Sequence, residues 1–244
     1  VKSIRFELAE ILGEKLNRRD EAIEAAKRAL DIEPHTADDL ERLGEGFKTN
    51  EAWQDAVTVL EQLAEQKETD AERVEALMEV ASIWKDRIGR PLGAAPSYEK
   101  ILDIDIYNEE AYRAADAIYR EHKEWRRLTS LLEKRLAAIR ERKDRVVLVK
   151  EIADIYERHL GQKELAFARY CAAFREDFTD DSVLVKLESL AEETEDYDTL
   201  LEVLEDATEE VTSGQRAVNL HTKIANIYLR LGQKDEAESR LLKA

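Results

Sequence analysis

The sequence predicts an all-α protein built as a stack of helix pairs. Four alanines, each followed by a similar segment, are 72 residues apart: Ala9, Ala81, Ala153 and Ala225. The chain has only eight glycines and three prolines in 244 residues. A long fixed period predicts units that contact their neighbours rather than one closed core. Scarce glycine and proline, together with many Ala, Glu, Leu, Arg and Lys residues, are typical of helices.

Two kinds of helix pair alternate along the chain. The first kind contains the four alanines, and the second kind begins its second helix with an aromatic residue at the same 72-residue spacing: Trp53, Trp125 and Tyr197. Apolar residues follow a helical spacing within each pair, as in the stripe of Ile152, Ile155, Tyr156 and Leu160. The sequence therefore predicts about fourteen antiparallel helices, or seven pairs, in a single repeat domain of residues 1–244.

Several helix starts can be assigned from capping residues. Thr36 and Thr69 each precede an acidic residue by three positions, which is the capping-box pattern. Asp20, Asn108 and Ser213 are further predicted N-caps.

Two irregularities interrupt the repeat. The segment GRPLGAAPSY places Pro96 where other copies have uninterrupted helix, so its helix is predicted to begin late, near Gly93. The first three copies of the first kind also contain one residue more than the last copy, and we predict that the turn after Leu16, Ile88 and Leu160 accommodates it.

The last and first units carry a family resemblance. The last unit has a pattern of large, small, aromatic, glycine and again small residues: Ile224, Ala225, Tyr228, Gly232, Ala237, Leu241 and Ala244. The opening unit has a similar pattern: Leu8, Ala9, Leu12, Ala22, Ala26, Ala29 and Pro34. These units resemble the tetratricopeptide repeat (TPR), and the whole chain resembles degenerate bacterial arrays with alternating motifs. The resemblance implies a right-handed superhelical solenoid whose first helices line a concave groove.

The resemblance also implies a function. TPR proteins generally bind peptides or other proteins, so we expect a non-enzymatic scaffold or adaptor that binds through the groove. The candidate groove residues are Glu10, Glu14, Glu41, Glu45, Arg113, Arg120, Lys150, Asp154 and Asn226. A basic segment would dock at the acidic N-terminal end, with the central arginines binding carboxylates in a bidentate manner. The alternative is a merely solvated charged surface. No adjoining set of Lys and Asn supports a chaperone-type carboxylate clamp.

The net charge of −17 narrows the class of partner. Phosphate-rich nucleic acid and anionic membranes would be repelled, whereas a basic protein or peptide matches electrostatically. The charge could instead serve only solubility. No apolar run approaches the length of a membrane span, so we expect no direct membrane insertion and a cytoplasmic location.

The sequence gives no sign of catalysis. Cys171 is the only cysteine, so no intrachain disulfide can form, and we expect its side chain to be buried. The four histidines are scattered without a zinc-binding pattern, and there is no phosphate-binding loop or nucleophile elbow. We therefore predict no catalytic residue, no metal site and no cofactor.

Two other functions remain open at this stage. The sequence begins at Val1 and stops inside a repeat, as expected of a fragment of a longer array. Exposed repeat ends could then pair with another copy, which makes self-assembly an alternative. A peptide- or ligand-sensing regulatory domain is another alternative, and it would require an enclosed pocket.

Overall fold

The computed structural model describes residues 2–211 and 214–244, and these residues form fourteen α-helices and no strand. The predicted all-α fold of about fourteen helices is thereby confirmed. The chain divides into two compact units, residues 1–124 and 125–244. The single repeat domain spanning both units stays a prediction.

The first unit contains seven helices, each packed against the next along the chain. Their bounds are α1 Lys2–Glu10, α2 Arg19–Leu30, α3 Ala37–Thr49, α4 Trp53–Gln66, α5 Asp70–Ser82, α6 Pro91–Ile104 and α7 Glu109–Glu121. Because α1 also packs against α3, the apolar core runs on from one pair to the next. Leu40 and Phe47 of α3 lie at its centre, with no exposed surface.

The second unit repeats this arrangement. Its helices are α8 Trp125–Ala138, α9 Arg142–Arg158, α10 Lys163–Glu176, α11 Asp181–Thr194, α12 Tyr197–Glu210, α13 Gly214–Arg230 and α14 Lys234–Leu241. Consecutive helices again pack side by side, and α10 also contacts α12. Phe174 and Leu187 are fully buried between them.

The 72-residue alanines act as small contact residues. Ala81, Ala153 and Ala225 are completely buried, which lets the paired helices approach closely. Ala9 is only half-buried, because it lines an open cleft in the first unit.

Both predicted capping boxes are present. The Thr36 hydroxyl accepts a hydrogen bond from the backbone N–H of Asp39, and the Asp39 carboxylate accepts one from the Thr36 N–H. Thr69 and Glu72 make the same reciprocal pair at the start of α5. The N3 carboxylate thus satisfies a backbone donor that the helix itself leaves free.

Other predicted caps have mixed outcomes. The Asn108 side chain accepts from the backbone N–H of Ala111 and caps α7, as predicted. Asp20 is not an N-cap, because α2 begins at Arg19 and places Asp20 in its first turn. A carboxylate there still favours the positive end of the helix dipole. Ser213 lies outside the described residues.

The extra residue of the first two copies lies in a π-helical segment at the helix end, Ile11–Lys15 and Ile83–Arg87, rather than in the turn, so that prediction is wrong for these two copies. The first helix of each copy ends with a widened turn closed by an N–H to C=O bond five residues back: Leu16 to Ile11 (3.0 Å), Ile88 to Ile83 (2.9 Å) and Leu160 to Ile155 (3.1 Å). The last copy keeps the ordinary four-residue bond, from Leu231 to Ile227. A one-residue insertion is absorbed as a π-type turn because the following helix then keeps its packing position.

The predicted late start of α6 is also wrong. The helix begins at Pro91, which occupies the first helical position, where the missing N–H costs nothing. Pro96 lies inside α6 on its exposed face, so its ring displaces no packed side chain. The position in α6 that approaches another side chain closely is Gly93. A Cβ at this residue would lie only 2.5 Å from the Trp84 indole.

The repeated aromatics pack between helices. The Arg87 guanidinium lies 5.2 Å from the ring centre of Trp53 at the start of α4. Thirty-four residues separate this pair, and the same spacing joins Trp125 to His159, whose rings stack at 3.8 Å. These contacts account for Trp53 and Trp125 as inter-helix packing residues.

Candidate functional site

A cleft of about 500 Å³ opens in the first unit between α1, α2 and α3, and we call it the N-terminal cleft. Its floor is apolar and includes Phe6, Ala9, Ala22, Ala26 and Leu43. Five carboxylates line it: Glu10, Glu14, Asp38, Glu41 and Glu45. The cleft therefore combines apolar contact area with an excess of negative charge.

At two positions near this cleft the first copy has glycine where the later copies have larger residues. Gly46 lies where the later copies have Ile118 and Leu190, both buried. Gly13 lies where they have Lys85 and Glu157. The cleft is thus found where side chains present in the other copies are missing.

The four glutamates that the sequence predicts at the N-terminal end of the groove line this cleft. Three of them already have cationic partners, which sequence reasoning missed. Glu10 pairs with Arg42 at 2.7 Å, Glu45 with Lys48 at 2.6 Å and Glu41 with Lys67 at 3.4 Å. Within the described residues, Glu14 and Asp38 have no hydrogen-bonding or ion-pairing partner.

The pairing of Lys48 reaches beyond the cleft. Its ammonium group bridges Glu45 on α3 and Glu79 on α5. Burial by itself would lower the pKa of Lys48, but hydrogen bonds to the two carboxylates outweigh burial and raise it. Lys48 is therefore firmly cationic, and it offsets part of the negative charge at one end of the cleft.

The predicted central arginines are engaged along their own helix. Arg113 of α7 lies 3.8 Å from Glu109, and Arg120 holds Asp116 through two hydrogen bonds of 2.7 and 2.9 Å. Glu109 and Asp116 each lie four residues before their arginine, and an ion pair at this spacing stabilises a helix by about 0.2–0.5 kcal/mol. Neither arginine lines the N-terminal cleft.

The predicted groove residues of the second unit do not form one site. Lys150 of α9 donates to Asp180 at 2.6 Å and to Ser182 at 3.2 Å. Asp154 accepts a hydrogen bond from the buried Tyr170 hydroxyl at 2.6 Å. Asn226 is exposed on α13. Lys150 and Asp154 thus hold neighbouring helices together in the second unit.

A family comparison identifies the repeat. The tetratricopeptide repeat model matches residues 3–36 and 218–244, which cover α1–α2 and α13–α14. The two ends of the chain thus match the tetratricopeptide repeat pattern. The predicted resemblance is confirmed, and α1 and α13 are the first helices of these TPR units. No curated protein matches the chain.

Solved TPR structures show a distant likeness. They include YrrB, described as a TPR protein with an unusual peptide-binding site, at 17% identity over 72% of this chain and 90% of that one, with a TM-score of 0.34. The C-terminal part of a TPR protein from Cytophaga hutchinsonii has 15% identity over 97% and 94%, with a TM-score of 0.34. PilF of Pseudomonas aeruginosa has 17% identity over 91% and 90%, with a TM-score of 0.34. At such values the likeness says nothing about what this chain binds.

A second, more open cleft of about 410 Å³ lies in the second unit and is lined in part by Glu133, Tyr156 and Leu165. Burial raises the pKa of the Glu133 carboxyl, while Arg169 at 2.7 Å opposes the shift. Glu133 is thereby tied to α10, and this cleft presents one paired carboxylate where the N-terminal cleft presents five.

Other reactive groups of the chain lie outside these clefts. Burial raises the pKa of the Cys171 thiol to about 12, so the thiolate is absent at neutral pH. Among the described residues, no group of His, Cys, Asp and Glu side chains is arranged to hold a metal ion. No helix in that part of the chain is both long and apolar enough to cross a membrane.

The Lys150–Asp180 pair makes stability depend on acid pH. Burial would raise the pKa of Asp180, but hydrogen bonds from Lys150, Ser182 and the Val183 N–H outweigh it and lower the pKa to about 2. A lowered pKa stabilises the fold above the unfolded value of about 4, and this contribution is lost as the pH falls towards 2.

At pH 6, the free energy of unfolding of Asp180→Asn should therefore be lower than that of wild type by on the order of 1 kcal/mol, after allowance for solvent screening. At pH 2 the two free energies should be equal. Asparagine keeps the N-cap of α11, so only the charge is removed. Urea unfolding at both pH values measures the difference. A constant difference would contradict this assignment, and Lys150→Met should abolish the same pH dependence.

Proposed function

We propose that this chain is a non-enzymatic scaffold or adaptor module that binds a protein or peptide through the groove lined by its first helices. The observation that supports this proposal best is the N-terminal cleft, which lies between α1 and α2 of the first TPR unit and the following helix α3. TPR proteins are generally interaction modules, and this cleft offers the apolar floor and polar rim that suit a peptide.

The electrostatics favour a basic partner. Five carboxylates line the cleft, and Arg42, Lys48 and Lys67 pair with three of them. Glu14 and Asp38 have no partner among the described residues, and the chain carries a net charge of −17. Attraction between such surfaces raises association rates and weakens with salt. The cytoplasmic location expected from the sequence stays a prediction.

Neither alternative function has a specific observation in its favour. A ligand-sensing domain needs an enclosed pocket, whereas the N-terminal cleft has exposed acidic side chains along its rim, such as Glu14 and Asp38. Self-association through repeat ends stays a prediction, and mass measurement over a range of concentrations tests it.

A peptide array tests the proposed function. The array carries basic, neutral and acidic peptides of equal length and is probed with the purified chain at low and high salt. We expect a subset to bind, with basic members enriched and weakened by salt. If no class binds the folded chain better than a heat-unfolded sample, the proposed function is wrong.

A further inference from the structure

We propose that the N-terminal cleft is a recognition pocket for an arginine or lysine side chain of a basic peptide, with Gly46 as the residue that opens it. This inference rests on the proposed function and names the partner class and the residues that select it. It depends on three properties of the cleft, namely its empty space, its apolar floor and its unpaired acceptors.

The space exists because Gly46 has no side chain. A Cβ built at Gly46 meets no described atom within 4 Å. In the later copies the equivalent Ile118 and Leu190 are 6% and 1% exposed, so a large apolar side chain at this position becomes buried. Glycine inside a helix costs about 1 kcal/mol relative to alanine. No described side chain lies close enough to require glycine at position 46, so packing does not offset this cost, whereas a guest side chain would gain room.

The floor suits the stem of a long cationic side chain. Phe6 and Leu43 are 4% and 2% exposed and present apolar surface to the cleft. Arginine and lysine cover such surface with their methylene groups while the charged head reaches polar groups. Arg42 already shows this arrangement, since its guanidinium lies 5.2 Å from the Phe6 ring centre and pairs with Glu10.

The cleft also retains acceptors for a second cation. Glu14 and Asp38 have no partner within the described part of the chain, and both line the cleft. Asn50, only 9% exposed, donates from Nδ2 to the Gly46 carbonyl at 2.7 Å. Its Oδ1 accepts no hydrogen bond from the described residues. A guanidinium or ammonium group would supply the donors that these oxygens lack.

A peptide fits the cleft better than a small free cation. The volume of about 500 Å³ is in the range of sites for drug-sized ligands. Such a site accommodates a long side chain together with part of its backbone. A free cation would leave much of the apolar floor uncovered, and it would lose the contacts made by neighbouring residues.

Fluorescence anisotropy with short labelled peptides of defined charge tests this inference. The probes are an alternating Arg-Gly peptide, its Lys-Gly counterpart and a Glu-Gly control. We expect the first two to bind wild type in a salt-dependent manner and the third not to bind. Free arginine amide should compete much less well than the peptide. Equal competition would overturn the peptide assignment.

Gly46→Leu is the decisive variant, because it fills the cleft without changing the charge. We expect at least about tenfold weaker binding of the Arg-Gly peptide, which corresponds to 1.4 kcal/mol, together with a raised melting temperature. Loss of binding then cannot result from unfolding. Gly46→Ala controls for the gain in helix propensity and should keep most of the affinity.

Charge variants separate the pocket from the general field of an acidic protein. Glu14→Gln with Asp38→Asn should weaken binding about tenfold, whereas Glu209→Gln with Glu210→Gln, exposed on α12, changes the net charge equally and should have little effect. The assignment of the cleft as the binding pocket is wrong if Gly46→Leu binds the peptide as tightly as wild type, or if both double variants weaken binding equally. If neutral or acidic peptides bind and basic ones do not, the proposed function survives and this inference fails.

Discussion

Replacing Phe174 by alanine is expected to lower the free energy of unfolding of the second unit by about 3–5 kcal/mol. Phe174 of α10 has no exposed surface, and its ring meets Phe178 edge-on at 5.5 Å and 83°. Truncation would remove the buried ring and leave a cavity between packed helices. Chemical denaturation followed by far-UV circular dichroism measures the loss.

Tyr156→Ala is the matched comparison. The sequence placed Tyr156 in the apolar stripe of α9 and predicts a loss of a few kcal/mol. In the structure its side chain is half-buried and lines an open cleft, so less contact is lost. We expect a clearly smaller loss than for Phe174→Ala. Equal losses would show that burial within single helix pairs does not determine stability in this array.

Gly93→Ala is expected to destabilise the first unit by about 1–3 kcal/mol, in the range of overpacked cores. Alanine normally favours a helix interior over glycine. Here the new Cβ would lie 2.5 Å from Trp84 Cε3 and 2.6 Å from Cδ2, so the indole must move. Thermal and urea unfolding of the variant measure the result.

Gly46→Ala is expected to change the stability of the first unit in the opposite direction, by stabilising it. Its Cβ meets no described atom within 4 Å, so we expect a gain of up to about 1 kcal/mol from helix propensity. Trp84→Leu should relieve much of the loss caused by Gly93→Ala. If both glycine variants changed stability in the same direction, the close approach of α6 to Trp84 would be wrong.

Much of the fold could be predicted because the repeat itself is the signal. The 72-residue spacing of Ala81, Ala153 and Ala225 identified positions that are fully buried. Local chemistry identified the caps at Thr36 and Thr69. The π-type turns could not be predicted, because a one-residue insertion fits a turn or a helix end equally well. Only packing of the next helix decides between them.

The candidate site was predicted in part. Groove positions brought Glu10, Glu14, Glu41 and Glu45 to one cleft, but their partners lie on other helices. Such pairs depend on the register between helices, which sequence spacing does not give. A signal for Gly46 was present, since the 72-residue comparison places it against Ile118 and Leu190.

Photo-crosslinking locates the bound peptide on the chain. An Arg-Gly peptide with a photoreactive group beside one arginine is bound to the intact chain, irradiated, and mapped by mass spectrometry. Crosslinks should fall in α1, the π-type turn that follows it and α3, around Phe6, Glu14 and Gly46, and should largely disappear in Gly46→Leu. Crosslinks concentrated in the second unit, or unchanged in that variant, would contradict the account.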